Sequence, residues 1–551
     1  MRSGAWMAAG VLALAFAGCG ATRVAAAPAQ ASASEPAAAS ADSPMLKALR
    51  DQLQRVAAGD SAGALATVQG MIAGPDFPKA SAADRHAAYQ VLGQIQLKRN
   101  DPAAALAAFD KAIAVTGTIV GDWMLRLNAA ALMKDDAEVI RGVTMIARTW
   151  PDRLLPVLGL DYASSLLRRT RGVAALAPAR ADMLEAMLHA GWRPPGDLSR
   201  FWYDLALDEV ARGRLDAAGR AADALQEPRW LMAVRADRRL DPLTRANPSR
   251  YDPVEAQDRK AAKSRLQAAA LPDRLAPIVT LATDLLEANR PAEALAVLDA
   301  ALAKARPAAL SVSDPTLQWR KPGRAAQAMA AVDPRLDWAK PQEGQSLAFR
   351  DQDEQLAYVM DRRARALAMQ GRPAEALTQW IDGLSQSPKG GVAAVMLLNT
   401  GVAYDRAALP DEALLRTKIL TVPALNEAGA AQLQEVRACA YAQQGQAVSL
   451  AGALNYLREH VASARPLLIR ALICGQEMGE AAQVLIGMLQ DEDTRPGALV
   501  LIQGLSPTYE GFAYDVELRR RWGLLLARPD VLAAIAKVGR TELYPLADIS
   551  R

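Results

Sequence analysis

A proline followed at the third and fourth places by Ala-Leu recurs along this chain, at Pro102-Ala105-Leu106, Pro291-Ala294-Leu295, Pro373-Ala376-Leu377 and Pro410-Ala413-Leu414. Ser61-Ala64-Leu65 keeps the register with Ser in the first place. Proline suits the first position of a helix, where its missing N–H has no intrahelical partner to lose. Each copy therefore marks a helix start, with a small residue one turn in where a second helix can approach. Polar or Gly breaks stand ahead of them at Gly59-Asp60, Asn100-Asp101, Asn289-Arg290 and Gly371-Arg372, and Asp101 is a good N-cap. Before the clearest break, Tyr89, Leu92, Gly93 and Leu97 follow a helical period; after it, Ala105, Leu106, Phe109, Ala112 and Ile113 lie on one face. Each copy reads as two helices folded back on one another. Unrelated hairpins would not share one register, so the spacing predicts a repeat array.

The pattern Tyr89, Leu92, Gly93, Ala105 and Phe109 resembles the tetratricopeptide repeat. Pro388 stands at that repeat's closing Pro, and Gly401 and Tyr404 at its Gly and second-aromatic places; Gln96 and Gly117 depart from it. The resemblance implies an all-α solenoid of αα-hairpins wound into a right-handed superhelix, a scaffold whose first helices line a concave groove for peptide or protein partners. In that geometry the groove positions are Gln90, Gln94 and Lys98, then Asp361 and Arg365, then Val402 and Asp405. Polar residues there are not needed by a core; they suit hydrogen bonding to a peptide backbone, or else plain solvation.

Composition agrees with helices. Apolar residues make up 51% but much of that is Ala, aromatics are 5%, and strand-type alternation is scarce. The formal net charge of +4, with bases and acids interleaved, argues against a nucleic-acid partner.

The chain opens with Arg2, an apolar run from Ala5 to Ala17, and Phe16-Ala17-Gly18-Cys19. That run is too short to span a bilayer as a mature helix. The last four residues resemble a bacterial lipobox, with Phe at the usual Leu place, which implies cleavage after residue 18 and lipidation of Cys19. The alternative is an ordinary secretory signal cut within Ala25 to Ala31. Gly20 rather than Asp after the Cys favours the periplasmic face of the outer membrane. Residues 19–43, rich in Ala, Ser and Pro, offer too little apolar surface to offset the entropy of ordering, and read as a tether. Beyond it the reading divides the chain into N-terminal helical repeats at 44–272, C-terminal repeats at 273–507 with an irregular insert at 306–349 carrying Trp319 and Trp338, and a helical cap at 508–551.

No residue pattern calls for catalysis, a cofactor or a metal. His86, His189 and His460 lie far apart and in no metal-ligand spacing, and neither a Gly-rich phosphate loop nor a G-x-S-x-G elbow occurs. Cys439 and Cys474 are 35 residues apart, about one repeat; they are either a disulfide, permitted in an oxidising compartment, or two small buried residues. Arg229 to Arg239 and Arg519-Arg520-Arg521 are either acid-binding patches or solvated faces. The function expected is that of a membrane-anchored periplasmic scaffold in envelope assembly or export. The alternative is a cell-wall or polysaccharide-binding protein built as a helical superhelix.

Overall fold

The computed structural model describes residues 43–117, 119–153, 160–192, 198–225, 227–305, 348–385 and 391–548. Cys19, the tether, Pro388, Trp319 and Trp338 lie outside them. The chain divides into two compact units, Met1–Ala224 and Leu225–Arg551.

The first unit contains α1 (Pro44–Ala57), α2 (Ser61–Ala73), α3 (Ala82–Lys98), α4 (Pro102–Thr116), α5 (Val120–Met133), α6 (Asp136–Thr149), α7 (Leu160–Thr170), α8 (Ala177–His189), α9 (Ser199–Ala211) and α10 (Leu215–Asp223). The second begins with α11 (Pro228–Ala236), the single turn α12 (Asp241–Thr244) and α13 (Pro253–Ala270), and continues with α14 (Ala276–Glu287), α15 (Pro291–Ala305), α16 (Gln352–Met369) and α17 (Pro373–Ser385). There follow α18 (Gly391–Arg406), α19 (Pro410–Thr417), α20 (Glu427–Gln443), α21 (Ala447–Glu459), α22 (Val461–Cys474), α23 (Met478–Gln490), α24 (Arg495–Leu501), β1 (Gly504–Ser506), α25 (Ala513–Leu526), α26 (Pro529–Val538) and β2 (Leu543–Ala547). The protein is an all-α repeat of paired helices with one two-stranded addition.

One turn joins the helices of hairpin after hairpin. The first helix ends on a residue with positive φ: Gly59, Asn100, Lys134, Gly213, Asn289, Gly371, Ala408, Gly445 or Gln476. The next N–H reaches back five residues, as Asp101 to Gln96 (2.9 Å), Asp135 to Ala130 (3.0 Å), Arg372 to Leu367 (3.0 Å) and Glu477 to Leu472 (2.8 Å). This is the bond that satisfies an orphan carbonyl at a helix C-terminus. The turn also joins α5 to α6, α9 to α10, α20 to α21 and α22 to α23, where the Pro-Ala-Leu register is absent.

Asp101 accepts the Ala104 N–H at 3.1 Å and Pro102 opens α4, as the sequence implies. Where paired helices cross, Gly93 of α3 faces Phe109 of α4, and a Cβ there would lie 2.7 Å from Phe109 Cζ. Ala105, Ala294, Ala376 and Ala413 are wholly buried, whereas Glu375 is exposed. Ala376→Leu is therefore expected to overpack the α16–α17 contact and cost about 1–3 kcal/mol. Glu375→Ala, which gives up an exposed pair with Arg372, stays within about 0.5 kcal/mol. Urea unfolding of the two variants checks this; equal losses would refute the register.

The C-terminal end is more than a helical cap. β1 and β2 pair in parallel, Gly504 opposite Leu543. Alternation is present in β2, with Leu543 exposed and Tyr544 buried, but Pro545 masks it; Pro fits a short edge strand. This end returns to the unit's start. Asp237, just past α11, bridges to Gly539, and the Arg540 N–H bonds the Ala236 carbonyl at 3.1 Å. Arg235 pairs with Glu542 at 3.0 Å and Arg229 with Asp548 at 2.5 Å. The basic cluster at 229–239 thus joins the first helix of the unit to its last strand, a closure that an open repeat array lacks.

Candidate functional site: a polar groove on successive first helices

Within the second unit, α14, α16, α18, α20 and α22 are the first members of successive hairpins, and they line one groove with a cavity of about 340 Å³. Thr283 and Glu287 come from α14, Arg362 and Arg365 from α16, and Val395, Asn399 and Val402 from α18. Gln432 and Glu435 of α20, Arg470 of α22 and Tyr509 complete the wall.

The floor is held by a buried carboxylate. Asp361 accepts the Trp380 indole N–H at 2.9 Å and the Asn399 amide at 3.1 Å on one oxygen. Its other oxygen takes the Arg365 Nε–H at 3.1 Å and an Arg362 guanidinium N–H. Burial alone would push the Asp361 carboxyl up, but the charges of Arg365 and Arg362 and the Trp380 hydrogen bond outweigh it and hold it below the usual range. Two guanidinium groups share this carboxylate, and Glu287 adds a second negative charge to the surroundings of Arg362. Arg362 also donates to Thr283 at 2.8 Å, tying α16 to α14. Glu435 pairs with Arg470 at 2.9 Å, and Glu287 shares Lys260 with Glu227 and Asp284.

Of the residues singled out from sequence, Arg365 and Val402 line this groove. Asp361 lies beneath it with a side chain that solvent does not reach, and Arg365 is 8% exposed. Asp405 is buried too and accepts from the Gln443 amide; burial pushes its carboxyl well up against the pull of Arg406. The expectation that these polar side chains are not needed by the core is corrected for Asp361, Arg365 and Asp405. Their hydrogen bonds and charge pairs join neighbouring helices, because in a stack of closely approaching first helices such positions are covered by the next hairpin. Gln90, Gln94 and Lys98 belong to α3 of the first unit. There Gln90 donates to Asp122 of α5 at 3.0 Å, Gln94 is half-buried and Lys98 is exposed. His86, also on α3, meets the same Asp122 at 2.7 Å and so joins α3 to α5.

Sequence reasoning did not reach Asn399, Gln432, Glu435 or Arg470. The signal was the helical spacing itself, since Asn399 precedes Val402 by one turn and Glu435 follows Gln432 by one turn.

The groove offers guanidinium and amide donors beside carboxylate acceptors, which suits hydrogen bonding and ion pairing rather than bond breaking. Cys439 and Cys474 form a disulfide, with Cα atoms 4.9 Å apart, so neither serves as a nucleophile. Among the described residues no group of three or more His, Cys, Asp or Glu could hold a metal ion, and no helix is long and apolar enough to cross a membrane.

No family model matches the chain, and no curated protein matches it. Among solved structures it is similar to the TPR domain of P58(IPK), with 12% identity over 88% of this chain and 100% of that one, at a TM-score of 0.16. It is also similar to a chain of the Naa15/Naa10 assembly bound to HypK-THB, with 14% identity over 90% of this chain and 96% of that one, at a TM-score of 0.20. Superpositions of that quality carry no argument, and the reading of the groove rests on its own geometry.

Proposed function

We propose that this protein is a helical-repeat scaffold that binds an extended peptide or protein segment along the groove of its second unit. The observation that carries the reading is the convergence of five successive first helices on one polar channel. An extended peptide presents N–H and C=O groups along its whole length, and a channel with donors and acceptors on consecutive turns can answer them. The proposed setting is the periplasmic face of a bacterial outer membrane, through a lipid on Cys19. The Phe16-Ala17-Gly18-Cys19 pattern and the Ala/Ser/Pro tether support it, as does the gain in effective concentration that a tether gives. An envelope-assembly or export role is proposed on the same grounds.

Val395, 43% exposed, and Gln432 line the groove without entering the buried carboxylate network, so changing them leaves the fold intact. Peptides selected from a random library on the full-length protein are expected to lose at least about tenfold in affinity to the Val395→Asp/Gln432→Ala double variant. Val448→Asp, at an 88% exposed position on α21, leaves them unchanged. Peptides that bind all three proteins alike would remove the groove from consideration. For the anchor, Cys19→Ala is expected to move the protein from the membrane fraction to the soluble periplasm. An identical distribution of wild type and variant refutes lipidation.

A further inference from the structure

A second cavity of the same unit, about 350 Å³, has the opposite character. It lies between α22, the 501–509 segment, α25 and β2, and most of its wall is hydrocarbon: Leu501, Leu505, Leu518, Trp522, Leu526 and Leu543. That volume is within the range of small-molecule sites, which are mostly apolar with a few placed polar groups. At roughly 30 Å³ for each water-sized group, it holds on the order of a dozen non-hydrogen atoms.

One polar group stands out. Arg406, the last residue of α18, reaches this wall and is 7% exposed. Its Nε has no hydrogen-bond partner, and its nearest carboxylates, Glu435 and Asp515, stand off at 3.7 and 3.8 Å. Each of those acids already has a closer cation, Arg470 for Glu435 at 2.9 Å and Arg519 for Asp515 at 3.0 Å. Asp548, also on the wall, is matched by Arg229 at 2.5 Å. Asp405, its buried neighbour in the chain, adds a third carboxyl to its surroundings, but none of the three meets Nε. A buried guanidinium N–H without an acceptor is costly, and an acceptor supplied from outside would relieve it.

We propose that this cavity binds a small amphiphile, a medium-chain monocarboxylate, with its carboxylate on Arg406 and its hydrocarbon chain between Leu505, Leu518 and Trp522. The site is separate from the peptide reading of the groove, although Arg470 and Tyr509 border both cavities. The test is calorimetric titration of the full-length protein with decanoate and with decan-1-ol, which has the same chain and no charge. Decanoate is expected to saturate one site, and decan-1-ol to bind at least about tenfold more weakly. Arg406→Gln brings decanoate down to the level of the alcohol. Leu505→Trp, which fills the apolar part of the cavity from a half-buried position, abolishes the binding of both and decides the matter if Arg406→Gln does not fold. Absence of saturable decanoate binding, equal affinity for acid and alcohol, or binding that survives Leu505→Trp would overturn the proposal. None of these outcomes alters the peptide test with Val395 and Gln432.

Discussion

Asp361→Ala is expected to destabilise the Leu225–Arg551 unit by about 3–5 kcal/mol, the usual cost of removing one partner from a buried charge cluster. The carboxylate is inaccessible and receives four donors, from Trp380, Asn399, Arg365 and Arg362. Its loss leaves two guanidinium groups near one another on α16 without their shared carboxylate, and an indole N–H of a buried Trp without an acceptor. The pH dependence has a definite sign. The folded-state pKa lies below the ordinary value of 3.8, so the contribution of Asp361 is present above that value and is lost as pH falls through the folded one. Urea unfolding followed by circular dichroism should therefore show a large loss for the variant at neutral pH and a smaller difference from wild type in strong acid. A loss below about 1 kcal/mol at neutral pH would mean that the cluster does not hold the groove floor together.

Removing the Cys439–Cys474 crosslink is expected to cost about 4 kcal/mol, from the chain entropy of the 35-residue loop it closes in the unfolded state. The bond ties α20 to α22, which both contribute to the groove, and both sulfurs sit in the apolar core around Leu472 and Leu485. The double Cys439→Ser/Cys474→Ser variant, and the wild type under reductant, should unfold at clearly lower denaturant. Coincident curves with and without reductant, together with two titratable thiols in the untreated protein, would show that the crosslink does not form. Because α20 and α22 belong to successive hairpins, its loss is expected to loosen the groove before the hairpins themselves separate.

The sequence alone determined the local plan. Pro at a helix start, Asp or a polar break before it and Ala one turn in are short-range signals, and their physics is complete within a few residues. They set the hairpins of α3–α4, α14–α15, α16–α17 and α18–α19, and identified Ala105, Ala294, Ala376 and Ala413 as crossing points. They failed for α5–α6 and α22–α23, where the same turn is made by Lys134 and Gln476 in a left-handed conformation that residues of these types adopt without announcing it. Only the tertiary structure decided which polar residues face a channel and which lie under it. Asp361 meets Trp380 of its own hairpin and Asn399 of the next, and Asp405 meets Gln443 of the next, so their burial follows from tertiary contacts rather than from local sequence. The same holds for β2, which pairs with the nearby β1, while the closure of this end onto α11 joins residues some 300 positions apart. It holds for Arg406 as well, an ordinary helix-terminal arginine in sequence whose Nε is buried without an acceptor once α20 and α25 pack around it and give their acids to closer arginines.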